Sequence, residues 1–234
     1  MASVLSLVQE FSGKKTLPVP SAVVGSTDKG IIQIRYLLAE VVRELSQYRW
    51  PQQKIEKTFS AIALQDQGAF TSVLGADYRS LVPGTFWHLT LDQEIKGPAT
   101  DREWAAMKAA EISGTEYYYK PIADHLHIYP IPVALDSLYV IYESAYGVAN
   151  SGGTPIAEIT ADTDTFLLPE ILVHRSLDYR WKRQKGEPWA ADYNEYMSLL
   201  AKQLGRDTLP TLSLDSSPKG VHPGIWVPAG NWAQ

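Results

Sequence analysis

Between Asp28 and Arg49, apolar residues recur at alternating steps of three and four: Ile31, Ile34, Leu38, Val41, Leu45 and Tyr48. That spacing holds them on one stripe of a helix, with Arg35, Arg43 and Glu44 largely outside it. Ser26, Thr27 or Asp28 can cap its start, because each offers a side-chain oxygen to a free first-turn N–H. Pro51 ends the run and disfavours helical geometry at Trp50. A stripe this long must be buried against other elements, so the rest of the chain has to supply a matching apolar surface.

Two further stretches have the same character near the other end. Val173, Leu177 and Trp181 stand at four-residue steps in a helix expected from about Leu167 to Lys185, with Asp164 or Thr165 as its cap. After Gly186 and Pro188, Trp189, Tyr193, Tyr196, Leu200 and Leu204 form the stripe of a last helix, and the short link makes the two antiparallel neighbours. A short helix over 3–12 adds Leu5, Val8 and Phe11.

The middle, from Lys54 to Thr165, reads as short strands and turns. "LYVIYES" alternates Leu138, Val140 and Tyr142 with Tyr139, Ile141 and Glu143, and "EYYYKPIADHLHIYP" reads as a hairpin turning near Ala123-Asp124. One helix interrupts it, where Thr100 and Glu103 match a capping box ahead of Trp104 and Met107. The expected architecture is therefore α+β. A helical-bundle core comes from residues 1–50 and 166–206, a β-rich insertion occupies 51–165, and an extended arm occupies 207–234. That arm has four prolines and three glycines yet carries Ile225, Trp226, Val227 and Trp232, which implies a surface for it to lie on.

The chain has 234 residues, 45% of them apolar, with a formal charge of −5 and no cysteine. Thiol chemistry and disulfides are excluded. The negative balance argues against a protein that wraps nucleic acid. The opening residues lack the basic start of a signal peptide, and no run reaches the length of a membrane span.

The search for catalytic chemistry is largely negative. No phosphate loop, nucleophile elbow or HExxH motif occurs. His125 and His127 share one face of a strand, but no third metal ligand is evident. Asp162 and Asp164 are better explained by helix entry than by calcium or paired acid–base work. No metal, cofactor or catalytic residue is expected. The cations Arg180, Lys182, Arg183 and Lys185 sit at a helix C-terminus, where they complement the dipole. They can pair with Glu187, Asp192 and Glu195 within one subunit or across a boundary.

Tyr-Arg-Trp occurs twice, at Tyr48–Trp50 and Tyr179–Trp181, each time at an expected helix end. Both tryptophans are expected to be buried packing anchors.

Several of these features occur in order: the D-x-D of Asp162 and Asp164, Leu168 and Glu170 at a helix start, then Arg180-Trp181-Lys182, Lys185 and Gly186. Asp192, Tyr193 and Tyr196 follow. With the opening "LPVPSAVVGSTDKGIIQIRYLLAEVVREL", this pattern resembles the head-to-tail adaptor (connector) proteins of tailed bacteriophages, over roughly residues 1–206. The resemblance implies a non-catalytic virion protein, made in the host bacterial cytoplasm. It would form a ring, usually dodecameric, under the portal protein, extend the DNA channel and dock the next tail or nozzle protein. The arm would reach along the portal or a neighbouring subunit. DNA would pass without sequence-specific binding, eased by the negative charge of the subunit. The competing reading is a carbohydrate-binding or fibre-attachment module that uses exposed aromatic residues of the β part, Trp87 or Tyr117 to Tyr119, as a sugar platform. A carboxylate hydrolase is the weakest reading.

Overall fold

A computed structural model describes residues 2–109 and 116–207. The arm residues Ile225, Trp226, Val227 and Trp232 lie outside the described residues.

The main body is a curled eight-stranded sheet accompanied by six helices, so a helical bundle with an inserted β part is not the architecture. The reason lies in long-range pairing. Strand β1 (Lys54–Ser60) pairs antiparallel along its whole length with β8 (Ser137–Ser144). The other edge of β8 carries β4 (Trp87–His88) near its start and β3 (Tyr78–Leu81) near its end. From β4 the sheet continues through β5 (Gln93–Lys96), β6 (Tyr117–Ile122), β7 (His125–Tyr129) and β2 (Asp66–Ala69). Segments far apart in sequence thus make one continuous sheet rather than a string of local hairpins. Along β8, Leu138, Val140, Tyr142 and Ser144 are buried in strict alternation, and they meet Phe70, Phe86, Ile95, Tyr119 and Ile128 in the sheet's core. The β6–β7 hairpin does turn at Ala123-Asp124. Both residues have positive φ, 48° and 66°, as a tight turn matching strand twist requires.

A second core lies among α1 (Val4–Lys14), α2 (Lys29–Leu45), α5 (Glu170–Lys185) and α6 (Ala190–Asp207). Strands enter this core too: Val148 of β9 (Val148–Ala149) and Phe166 of β11 (Thr165–Phe166) are buried in it, and β10 (Pro155–Ile156) completes a small sheet in the order β10-β9-β11. Helix α4 (Asp101–Ala109) has the expected capping box, with Thr100 N–H donating to Glu103 Oε2 at 2.8 Å and Glu103 N–H to Thr100 Oγ1 at 3.3 Å. The remaining helix, α3 (Phe70–Val73), is a single turn that buries Phe70.

Two helix boundaries differ from expectation. Helix α2 closes at Leu45 rather than Arg49, because side chains take over its last carbonyls. The Trp50 indole donates to Leu45 O at 2.7 Å, and Arg79 donates to Ser46 O and to Tyr48 O. Helix α5 begins at Glu170, not Leu167. Pro169 keeps Leu168 out of helical geometry, and Leu167 N–H bonds Gly147 O at 2.9 Å. Both anchors are buried as expected: Trp50 is 1% exposed and Trp181 5%, the latter edge-on to Phe11.

Candidate functional site

The acidic D-x-D does not cap a helix. Asp162 Oδ1 accepts from Val23 N–H at 3.0 Å and Val24 N–H at 2.8 Å. Asp164 Oδ2 accepts from Thr160 and Ala161 N–H at 2.7 and 2.8 Å. Their carbonyls take the N–H groups of Leu5 and Val4. The pair thus fixes the start of α1 and the loop before α2 to the strand that leads into α5. The sequence shows the acids but not their distant partners, so helix entry was the nearest available explanation.

The α5–α6 charges are mostly satisfied inside the chain. Arg180 reaches Glu40 at 2.9 Å and also Glu44, and Glu44 accepts from the buried Tyr196 hydroxyl at 2.9 Å. Burial first, then the Glu44 carboxylate, push the Tyr196 phenol well above its ordinary pKa. Lys182 meets Asp192 at 2.8 Å, and that hydrogen bond holds Asp192 below the usual carboxylate range. Glu195 is taken by Arg175 at 3.0 Å. Lys185 lies over Trp181 and donates to Gln33, while Arg183 lies over Trp189. Glu187 contributes its N–H to Lys182 O at the α5 end, where Gly186 adopts φ 72°. For contact with another molecule, the exposed Arg183, Lys185 and Glu187 are what this cluster has left.

Of the two histidines in β7, His125 pairs with Asp66 at 2.9 Å, and among the described residues no third ligand groups with them. A different trio, Glu10, Glu170 and His174, brings ligand-capable atoms within 4.8 Å of one another between α1 and α5. Glu170 and His174 are four apart on a helix, a visible signal, but Glu10 joins them only through packing. Lys14 donates to Glu10 Oε1 at 2.6 Å, so the trio already holds a cation and acts as a clasp between helices. Burial, the largest influence on it, keeps the His174 imidazole below its ordinary pKa.

The candidate aromatic residues differ in exposure. Tyr119 is buried against Phe86, Tyr117 packs on His88, and Trp87 is exposed beside Tyr139 and Glu94.

The feature that sequence reading missed is at one end of the sheet. Loops 61–65, 88–92 and 131–136 meet where β1 and β4 end and β8 begins. Ala61 N–H bonds Asp136 O, Leu135 N–H bonds Ala61 O, Leu89 N–H bonds Ser137 O, and His88 Nε2 stands 3.1 Å from Asp136 Oδ2. Gln67 holds both the N–H and the carbonyl of Ile62. His88 and Gln67 are buried, while Ile62, Leu64, Leu89, Leu91, Ile131, Val133 and Leu135 are exposed, Leu135 by 82%. Each loop taken alone reads as an ordinary turn with one or two apolar residues. Only the pairing of β1, β4 and β8 gathers them.

No family model matches the chain, and no curated protein matches it. Among the described residues no helix is long and apolar enough to cross a membrane.

Proposed function

We propose that this chain is a non-catalytic virion protein, a head-to-tail adaptor that forms a ring under the phage portal, extends the DNA channel and receives the next tail component. The observation that carries the reading is the aliphatic tip. Seven large apolar side chains on mutually bonded loops offer a surface that water disfavours and a protein partner would cover. The sequence pattern shared with adaptors supports it. Asp162, Asp164, Arg180, Trp181, Asp192 and Tyr196, all in that pattern, are among the residues that tie α1, α2, α5 and α6 together. A ring subunit needs opposed contact faces rather than a deep pocket, and heterologous contacts close when the rotation per subunit divides a full turn.

Sugar binding is less well supported, because Tyr119 is buried, Tyr117 and Tyr118 are half-buried, and Trp87 alone of these rings is exposed. Co-expression with the portal protein of the same virus, followed by cryo-electron microscopy of the complex, tests the adaptor reading. A ring of this chain beneath the portal is the expected result. Absence of any portal association, together with absence from the neck of virus particles, would overturn it.

A further inference from the structure

A cleft of about 650 Å³ runs between α2 and the segment carrying β9 and β10. Ala39, Val42 and Val148 are among its apolar lining, and Arg35, Arg43 and Arg79 also line it. Arg35 and Arg43 are eight apart on α2, on the same side as Ala39. Three other arginines are matched: Arg49 meets Glu143, Arg175 meets Glu195, and Arg180 meets Glu40. In the cleft, no carboxylate among the described residues comes within ion-pair distance of Arg35, Arg43 or Arg79, and Glu158 is the one acid in the lining. Arg79 is held by backbone carbonyls of the α2 end, which fixes its position without cancelling its charge. Three guanidinium groups line the cleft with Glu158 as its lining acid, and Glu143, the carboxylate that acts on Arg79, is already paired to Arg49, so positive charge is concentrated here in a chain whose formal charge is −5.

A second observation is independent of the charge. Ser46 also lines the cleft, is only 8% exposed, and its hydroxyl has no hydrogen-bond partner. A buried hydroxyl without a partner is costly, and this one lies under the Gly147 loop at the cleft wall, where a small shift of that loop would open it to a ligand acceptor. The backbone leaves room for this arrangement. A Cβ on Gly147 would stand 2.3 Å from Ser46 Oγ, so glycine is what lets the loop approach the helix here.

We propose that this cleft is an oxyanion site, taking a ligand that carries phosphate or carboxylate groups beside an apolar body. Guanidinium forks supply charge-assisted, two-pronged bonds to such groups. The volume suits a small molecule. The inference stands on the cleft itself and does not depend on the chain's being a ring subunit.

Isothermal titration calorimetry of the full chain at low ionic strength tests it, with inorganic pyrophosphate in one arm and citrate in the other. At least one anion is expected to saturate a single site, and comparing the arms tells phosphate from carboxylate preference. The double variant Arg35→Ala/Arg43→Ala should weaken binding about tenfold or more, with salt dependence reduced. Ala39→Glu, an exposed helix position, should do the same by placing a carboxylate between the two arginines, and it decides the matter if the double variant folds poorly. Failure of both anions to saturate would overturn the proposal. So would equal binding by wild type and variants, which would mean an adventitious ion only.

Discussion

The helical side and the sheet's aliphatic tip solve opposite problems. Where α5 meets α2 and α6, and at the D-x-D, polar groups find partners in the same chain, as with Arg180 on Glu40 and Glu44, Lys182 on Asp192, and Asp162 on the Val23 and Val24 amides. At the tip the loops are bonded to one another through their backbones, but apolar side chains are left outside, at Leu64, Val133 and Leu135. A region whose charges are internally matched holds itself together. A region whose apolar surface is unmatched is stabilised by what covers it. The basic cluster, the obvious interface candidate in the sequence, thus contributes chiefly to internal cohesion, and the tip becomes the better candidate for contact.

Substitutions should separate the two regions. The largest effect is expected at Trp50→Ala, which removes a buried ring and its bond to Leu45 O. It should cost about 3–5 kcal/mol in urea unfolding, whereas Leu135→Ser should stay within about 0.5 kcal/mol. A comparable loss at Leu135 would erase the distinction. Next comes Asp162→Ala, which leaves two amides without their acceptor and should cost about 1–3 kcal/mol. Asp162→Asn should recover part of that.

A smaller effect should appear with pH. The His174 pKa is lowered in the folded chain, chiefly by burial and by Lys14, with Glu10, Glu170 and Asp178 opposing. The unfolded chain therefore takes up this proton first as pH falls below about 6.5. Stability should decline from near neutrality until the folded pKa is passed. In His174→Gln, thermal unfolding between about pH 7 and pH 5 should show a shallower decline. The smallest effect is expected at Lys182→Ala, less than about 1 kcal/mol, because the Asp192 pair is only partly shielded from solvent.

The sequence made the helices legible because a 3.6-residue period is local information. The stripe from Ile31 to Leu45, the Thr100–Glu103 box and both tryptophan anchors could be read without knowing any partner. The alternation of β8 and the turn at Ala123-Asp124 are equally local. What was not legible depends on contacts between distant segments. The pairing of β1 with β8 turns the middle of the chain into the principal sheet. The reach of Asp162 to Val23 turns a supposed helix cap into a tie between elements. The tip exists only once three turns, each unremarkable by itself, are brought to one end of that sheet. The Arg35–Arg43–Arg79 cleft combines a helix face with a strand residue, so its arginines read in sequence as solvated positions.

The central claim is that the tip, rather than the paired helical face, is covered in the assembled particle. Hydrogen–deuterium exchange comparing the isolated chain with the portal-bound form tests it most directly. The account predicts slower exchange in loops 61–65, 88–92 and 131–136, with little change around Glu40–Glu44 and Arg180. Unchanged exchange in all three loops, with new protection on the helical face instead, would contradict it.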